Sequence, residues 1–222
     1  MIRSIVKFCV YIFCLLIFRV KTVGKENIQK NGPYILCANH TSNWDPLLLI
    51  SSIKRKVYIM AKEELFKNKF IKWLGKKCCV FPVKRGKKDI ESIKFSLKVL
   101  KEEQILGIFP EGTRNGMRRN GKAQNGAAYL AIRTGVPVIP VAIQGTFKPF
   151  TKVKINIGKP ITFEEYISKN PEKIVLDQVT KSIMDSIIEL TNQKIWYIIF
   201  NNLVGQTFSL PIHMKILGDK YE

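Results

Sequence analysis

Five short runs in this chain are apolar from end to end: Tyr34–Ala38, Val57–Ala61, Cys78–Val83, Ile105–Phe109 and Val138–Ile143. A strand wetted on one face alternates apolar and polar residues, so unbroken runs call for strands covered on both faces. Patterns of helical period lie among them. Ile90, Ile93, Leu97 and Leu100 recur on one face of the segment after Lys88. In Pro171–Leu190, Leu176, Val179, Ile183, Ile187 and Leu190 share a face, and Lys173, Asp177, Lys181, Asp185 and Glu189 lie opposite. The alternation predicts a single α/β domain, a largely buried mixed β-sheet flanked by helices. Lys152–Ile157 (KVKINI) alternates strictly and is expected as a half-exposed edge strand. Pro137 and Pro140 suggest edge or bulge geometry around their strand. With 222 residues, such a domain can bury a core without disulfides or a metal.

The outlier in composition is charge: 37 Lys and Arg against 17 Asp and Glu, a net +20. Between Lys54 and Lys101 there are sixteen basic residues and four acidic ones. Such a field attracts polyanions: nucleic acid, an anionic membrane or a phosphorylated substrate. No zinc-finger spacing, RNP aromatic pair or KH loop accompanies it, so no nucleic acid is expected as a partner. Cys9, Cys14, Cys37, Cys78 and Cys79 fit no zinc pattern and read as thiols in a reducing compartment.

Phe8–Phe18 is eleven apolar residues, preceded by Arg3 and Lys7 and followed by Arg19 and Lys21. A bilayer-spanning helix needs about 20. No small-residue cleavage site follows, as a signal peptide would require. The run is expected as an N-terminal membrane-associated helix that embeds in one leaflet with basic flanks at anionic headgroups; the alternatives are a core helix and a full span. Ile195–Leu217 is also apolar, interrupted by Asn201, Asn202, Gly205 and Pro211, and is expected as a second surface-seeking element or a packed tail. The division is 1–21 for the N-terminal helix, 22–192 for the α/β domain and 193–222 for the apolar tail.

Two clusters carry chemistry. His40 directly follows the Tyr34–Ala38 run, and Asp45 comes five residues later, just before Pro46 and an apolar stretch. With His40 on the loop and Asp45 at a helix start, the carboxylate can fix the imidazole tautomer and leave the other nitrogen as a base. The bland alternatives are a loop histidine and an Asp that only caps the helix. The second cluster is Phe109–Arg114 (FPEGTR), where Gly112 permits a close backbone approach, Thr113 offers a hydroxyl and an amide, and Arg114 offers a planar fork suited to phosphate. Arg85 follows a further strand, in FPVKRG.

In this order, NHTSNWD, FPVKRG, FPEGTR and VPVIPVAI resemble the four blocks of the glycerophospholipid acyltransferase family, most closely 1-acylglycerol-3-phosphate O-acyltransferases. The likeness covers about residues 20–160. It departs from the family at Gln124 and Asn125, before Gly126, where members often carry lysines. The resemblance implies transfer of a fatty acyl group from acyl carrier protein or acyl-coenzyme A to lysophosphatidic acid, giving phosphatidic acid. It implies His40 as general base, Asp45 as its orienting partner, and Arg85, Glu111, Gly112, Thr113 and Arg114 on the acceptor side. No metal or cofactor is called for, because a thioester needs no separate activation. The implied location is peripheral or monotopic, on the cytoplasmic face of the cell membrane. The rivals are a related enzyme acting on glycerol-3-phosphate or another lysophospholipid, and a non-catalytic basic binding module.

Overall fold

Burial on both faces accounts for the apolar runs. The computed structural model describes residues 2–83, 89–113, 123–168 and 170–191. Strands β1 (Arg19–Val23), β2 (Tyr34–Ala38), β3 (Val57–Lys62), β4 (Val80–Val83), β5 (Ile105–Ile108), β6 (Val138–Gly145) and β7 (Lys152–Ile157) form one mixed sheet of order β1-β7-β6-β2-β5-β3-β4. The stretch β6-β2-β5-β3-β4 is parallel, β7 runs antiparallel to β6, and β1 runs parallel to β7.

Successive residues of β2 point into different cores. Tyr34, Leu36 and Ala38 join one apolar cluster, with Leu48, Leu49 and Ile50 of α2 (Asp45–Ser52) and with Cys14 of α1 (Ile2–Ile17). Ile35 and Cys37 join the other, with α5 (Gly126–Thr134) through Leu130 and Ile132 and α6 (Lys173–Leu190) through Val179, Ile183 and Ile187. Leu48 and Leu49 are fully buried; each contributes about 1.5–3 kcal/mol relative to an exposed side chain. Among the described residues the remaining α-helices are α3 (Lys69–Lys77), between β3 and β4, and α4 (Ile90–Lys101), between β4 and β5.

Four expectations change. Lys152–Ile157 is not an edge strand: β1 pairs with it from Arg19 opposite Lys152 to Val23 opposite Asn156, and four of its six residues are buried. The edge is β1 itself, so Arg19 and Lys21 belong to a strand and the N-terminal helix stops at Ile17. Pro140 lies inside the sheet, opposite Cys37. Its carbonyl accepts from the Gly158 amide, beyond the end of β7, and Val138 exchanges bonds with Ile161. The β6–β7 ladder is interrupted there, between Val138–Ile161 and Val141–Ile157, so the edge reading of Pro140 fails while the bulge-like irregularity stands. Finally, α4 turns Ser92, Ser96, Val99 and Leu100 inward, and Ile90 and Ile93 remain exposed. The small serines let the helix approach the sheet closely, and their hydroxyls are satisfied at Pro82 O and Ser92 O.

Among the described residues no helix is long and apolar enough to cross a membrane. Helix α1 buries Cys14, with Phe18 just beyond its end, while Phe8 and Leu16 are 61% and 68% exposed. Residues 195–217 lie outside the described residues.

Candidate active site

The parallel strands β2 and β5 are neighbours, and the chain leaves their carboxyl ends toward opposite faces: to α2 on one, to α5 on the other. Such divergence opens a crevice at the ends of the strands. His40 stands there after β2, and Phe109 and Glu111 after β5.

His40 Nδ1 lies 2.9 Å from Asp45 Oδ2. The same oxygen accepts the Thr41 amide at 2.6 Å and the Ser42 amide at 2.7 Å. Asp45 is the first residue of α2 and is fully buried. Its carboxylate faces back to the loop, so it holds the His40–Ser42 turn instead of capping the helix amides ahead of it. An ionised carboxylate is an acceptor only, so in the neutral imidazole this contact places the proton on Nδ1 and leaves the lone pair on Nε2. Asp45 Oδ1 and Thr41 Oγ1 are buried and, among the described residues, have no hydrogen-bond partner.

The histidine is fixed from three further directions. Its backbone N–H donates to Glu111 Oε1 at 2.9 Å, across 71 residues of sequence. The Phe109 ring lies against the imidazole, with centroids 4.6 Å apart. Asn39, one residue earlier, donates from Nδ2 to Ile143 O and accepts the Ile143 amide at Oδ1, at 2.9 and 2.7 Å. Its side chain thereby extends the β2–β6 pairing by one step, and His40 leaves the sheet from a clamped residue. The imidazole keeps a small opening to solvent, its side chain 14% exposed.

The FPEGTR turn places the other expected residues in different ways. Glu111 is buried, with Oε1 turned to the His40 amide. Gly112 has φ +63°, a left-handed conformation costly for any residue with a Cβ, and its amide closes the turn on Phe109 O. A Cβ there would also sit 3.2 Å from Gln124 Cγ. Thr113 is exposed. Arg85 and Arg114 lie outside the described residues. Gln124 donates its amide to Pro110 O at 2.7 Å, and Asn125 bonds through its side chain to Asp177 and Thr180 of α6.

Several participants lie inside the NHTSNWD and FPEGTR blocks, but their contacts carried no local signal. Asn39 and Phe109 act through contacts spanning about a hundred and about seventy residues of sequence. Trp44, the residue before Asp45, packs against Phe13 of α1 and against Phe18, at 5.8 and 5.5 Å between centroids. The N-terminal helix therefore touches the loop that holds the histidine. Helix ends and loops of this kind gather residues that only the sheet order brings together.

Comparison with known proteins places the chain among its relatives. The family model described as Acyltransferase matches residues 19–144. The 1-acyl-sn-glycerol-3-phosphate acyltransferase of Bacillus subtilis is 34% identical over 181 residues, covering 78% of this chain and 89% of that enzyme. The enzyme of the same name from Streptococcus pneumoniae is 34% identical over 148 residues, 64% of this chain and 54% of that one. The crystal structure of the 1-acyl-sn-glycerophosphate acyltransferase PlsC from Thermotoga maritima matches in fold, with TM-score 0.63 at 24% identity over 86% of this chain and 82% of that one. With the family model spanning β1 through β6 and the histidine and aspartate meeting inside that span, the chain belongs to the Acyltransferase family.

Proposed function

We propose that the chain is a 1-acylglycerol-3-phosphate O-acyltransferase, moving a fatty acyl group from a thioester of acyl carrier protein or coenzyme A to the free hydroxyl of lysophosphatidic acid. The observation that carries the reading is the His40 Nδ1–Asp45 Oδ2 contact of 2.9 Å in a chain of this family. His40 Nε2 takes the hydroxyl proton as the oxygen attacks the thioester carbonyl. The tetrahedral adduct then collapses, the C–S bond breaks, and the imidazolium returns the proton to the departing thiolate. A hydroxyl is a weak nucleophile until its proton is removed, and general-base assistance supplies about 10²–10⁴ in rate. Asp45 holds the tautomer and stabilises the imidazolium. No acyl-enzyme is needed, so no serine or cysteine nucleophile enters.

Arg85 and Arg114 bind the acceptor phosphate, where a guanidinium fork matches the geometry. Gly112 and Thr113 shape the acceptor side of the crevice, and Glu111 acts there by holding His40. The catalytic unit begins at β1, within the 22–192 division expected from sequence extended back to Arg19. The segment before it attaches the unit to the cytoplasmic face of the membrane through the exposed side of α1, and 193–222 are an apolar C-terminal sequence. The exposed Phe8 and Leu16 and the packing of Phe13 on Trp44 support that role.

The test is a set of initial rates for the purified full chain, with each thioester donor against lysophosphatidic acid, glycerol-3-phosphate and lysophosphatidylcholine. The reading requires phosphatidic acid formation to exceed the other two products. Preference for glycerol-3-phosphate would keep the dyad and overturn the acceptor.

A further inference from the structure

Helix α3 buries its Gly75 and half-buries Leu74 against the core. Its Phe70 and Trp73, one turn apart, are instead 66% and 50% exposed, stacked on each other with centroids 6.1 Å apart. Ile71 and, in the 3-10 turn Glu63–Lys67 just before, Leu65 are exposed as well. Large apolar groups held at the surface in one patch mark a contact with something apolar. Lys69, Lys72 and Lys76 flank the pair on the same helix and Lys67 ends the turn before it, all exposed, and none joins an ion pair among the described residues. Helix α3 contains no acidic residue; Glu63 and Glu64 lie on the turn before it.

We infer that α3 is a second membrane contact, seating Phe70 and Trp73 at the headgroup–acyl boundary of an anionic bilayer while the lysines meet the lipid phosphates. The combination of aromatic rings and lysines on one short helix fits that boundary, where one end of the contact is apolar and the other wet and negative. A second copy of this chain does not fit: a symmetric contact would set the same lysines against one another in a protein of net charge +20. The position is apt as well. Helix α3 follows β3, and β3 runs parallel to β5 beside it. So α3 departs from the same end of the sheet as His40 and Glu111, and it touches α1. This inference extends the interfacial attachment proposed above, and the experiment separates the two.

The full chain is mixed with vesicles of phosphatidylcholine plus phosphatidylglycerol, or of phosphatidylcholine alone, and partitioning is measured by flotation. Phe70→Ser with Trp73→Ser removes only exposed groups. It should weaken partitioning by about tenfold or more. Lys69→Glu, Lys72→Glu and Lys76→Glu together should weaken it by about a hundredfold on anionic vesicles and little on neutral ones. With brominated acyl chains, tryptophan emission should be quenched, and Trp73→Phe should remove part of that quenching. Unchanged partitioning of the folded Phe70→Ser/Trp73→Ser protein, or quenching unaffected by Trp73→Phe, would overturn the inference and leave the patch for a protein partner. Phe8→Ser with Leu16→Ser tests α1 separately: if only that pair releases the protein, α1 alone is the anchor; if only the α3 pair does, the attachment by α1 fails and this contact stands.

Discussion

Replacing Asp45 by Asn asks what the buried carboxylate does. The amide oxygen can take the place of Oδ2 and still accept from Thr41 and Ser42. The amide nitrogen then occupies the place of Oδ1, which is buried and has no partner among the described residues. Burying that donor unpaired costs about 1–3 kcal/mol of stability, a loss that a folded domain survives. The catalytic cost is larger. When His40 takes a proton, the imidazolium and the Asp45 carboxylate become an ion pair about 4 Å between charge centres, worth about 4 kcal/mol at an effective dielectric near 20. An amide dipole recovers part of this, so kcat should fall roughly 10²–10³-fold. KM for the acceptor should change little, because Asp45 is shut away from the crevice behind the histidine. The assay pairs steady-state kinetics on detergent-dispersed lysophosphatidic acid with thermal melts monitored by circular dichroism. A folded Asp45→Asn enzyme within about tenfold of the parent kcat would refute the argument that the charge stabilises the imidazolium.

Three further outcomes are expected. Glu111→Gln keeps an acceptor for the His40 amide and should retain most activity, whereas Glu111→Ala leaves that amide unpaired and should lose about a hundredfold in kcat through misplacement of the base; equal losses in both variants would assign the carboxylate's charge a direct role. Asn39→Ala removes both bonds to Ile143 in a buried site and should lower unfolding free energy by about 2–4 kcal/mol, read by urea denaturation. Cys37 is fully buried, and burial pushes its thiol up well beyond the ordinary range, with Cys14 also raised by burial despite a bond from Ser51; a maleimide should label the exposed Cys9 quickly and reach Cys14 and Cys37 only on unfolding, as mass spectrometry of digests would show.

The central strands were legible because a two-sided core leaves a mark on every residue: β2 is the Tyr34–Ala38 run to the residue. Strand β1 left no such mark. RVKTV is short, carries two cations and abuts a longer apolar run, so it reads as the flank of a helix, and its partner β7 is more than a hundred residues away. Missing it also put β7 at the edge. The face of α4 was misread because Ser92 and Ser96 are chosen for small size, a property that hydrophobic period does not register. In the site, the histidine and aspartate are close in sequence, and their chemistry could be argued from the spacing. Glu111, Phe109 and Asn39 reach His40 only through the β2–β5 and β2–β6 neighbourhoods. No local pattern encodes those, although the placement of the FPEGTR turn directly after a buried strand is the signal that it would join another strand end.

The account stands most directly on His40. The purified His40→Ala protein should melt within a few degrees of the parent, since its side chain makes one hydrogen bond and one ring contact. Its formation of phosphatidic acid from lysophosphatidic acid and an acyl thioester should fall by at least about 10³-fold, the upper part of the range for loss of a general base. A well-folded His40→Ala enzyme that keeps most of its turnover would contradict the proposed mechanism.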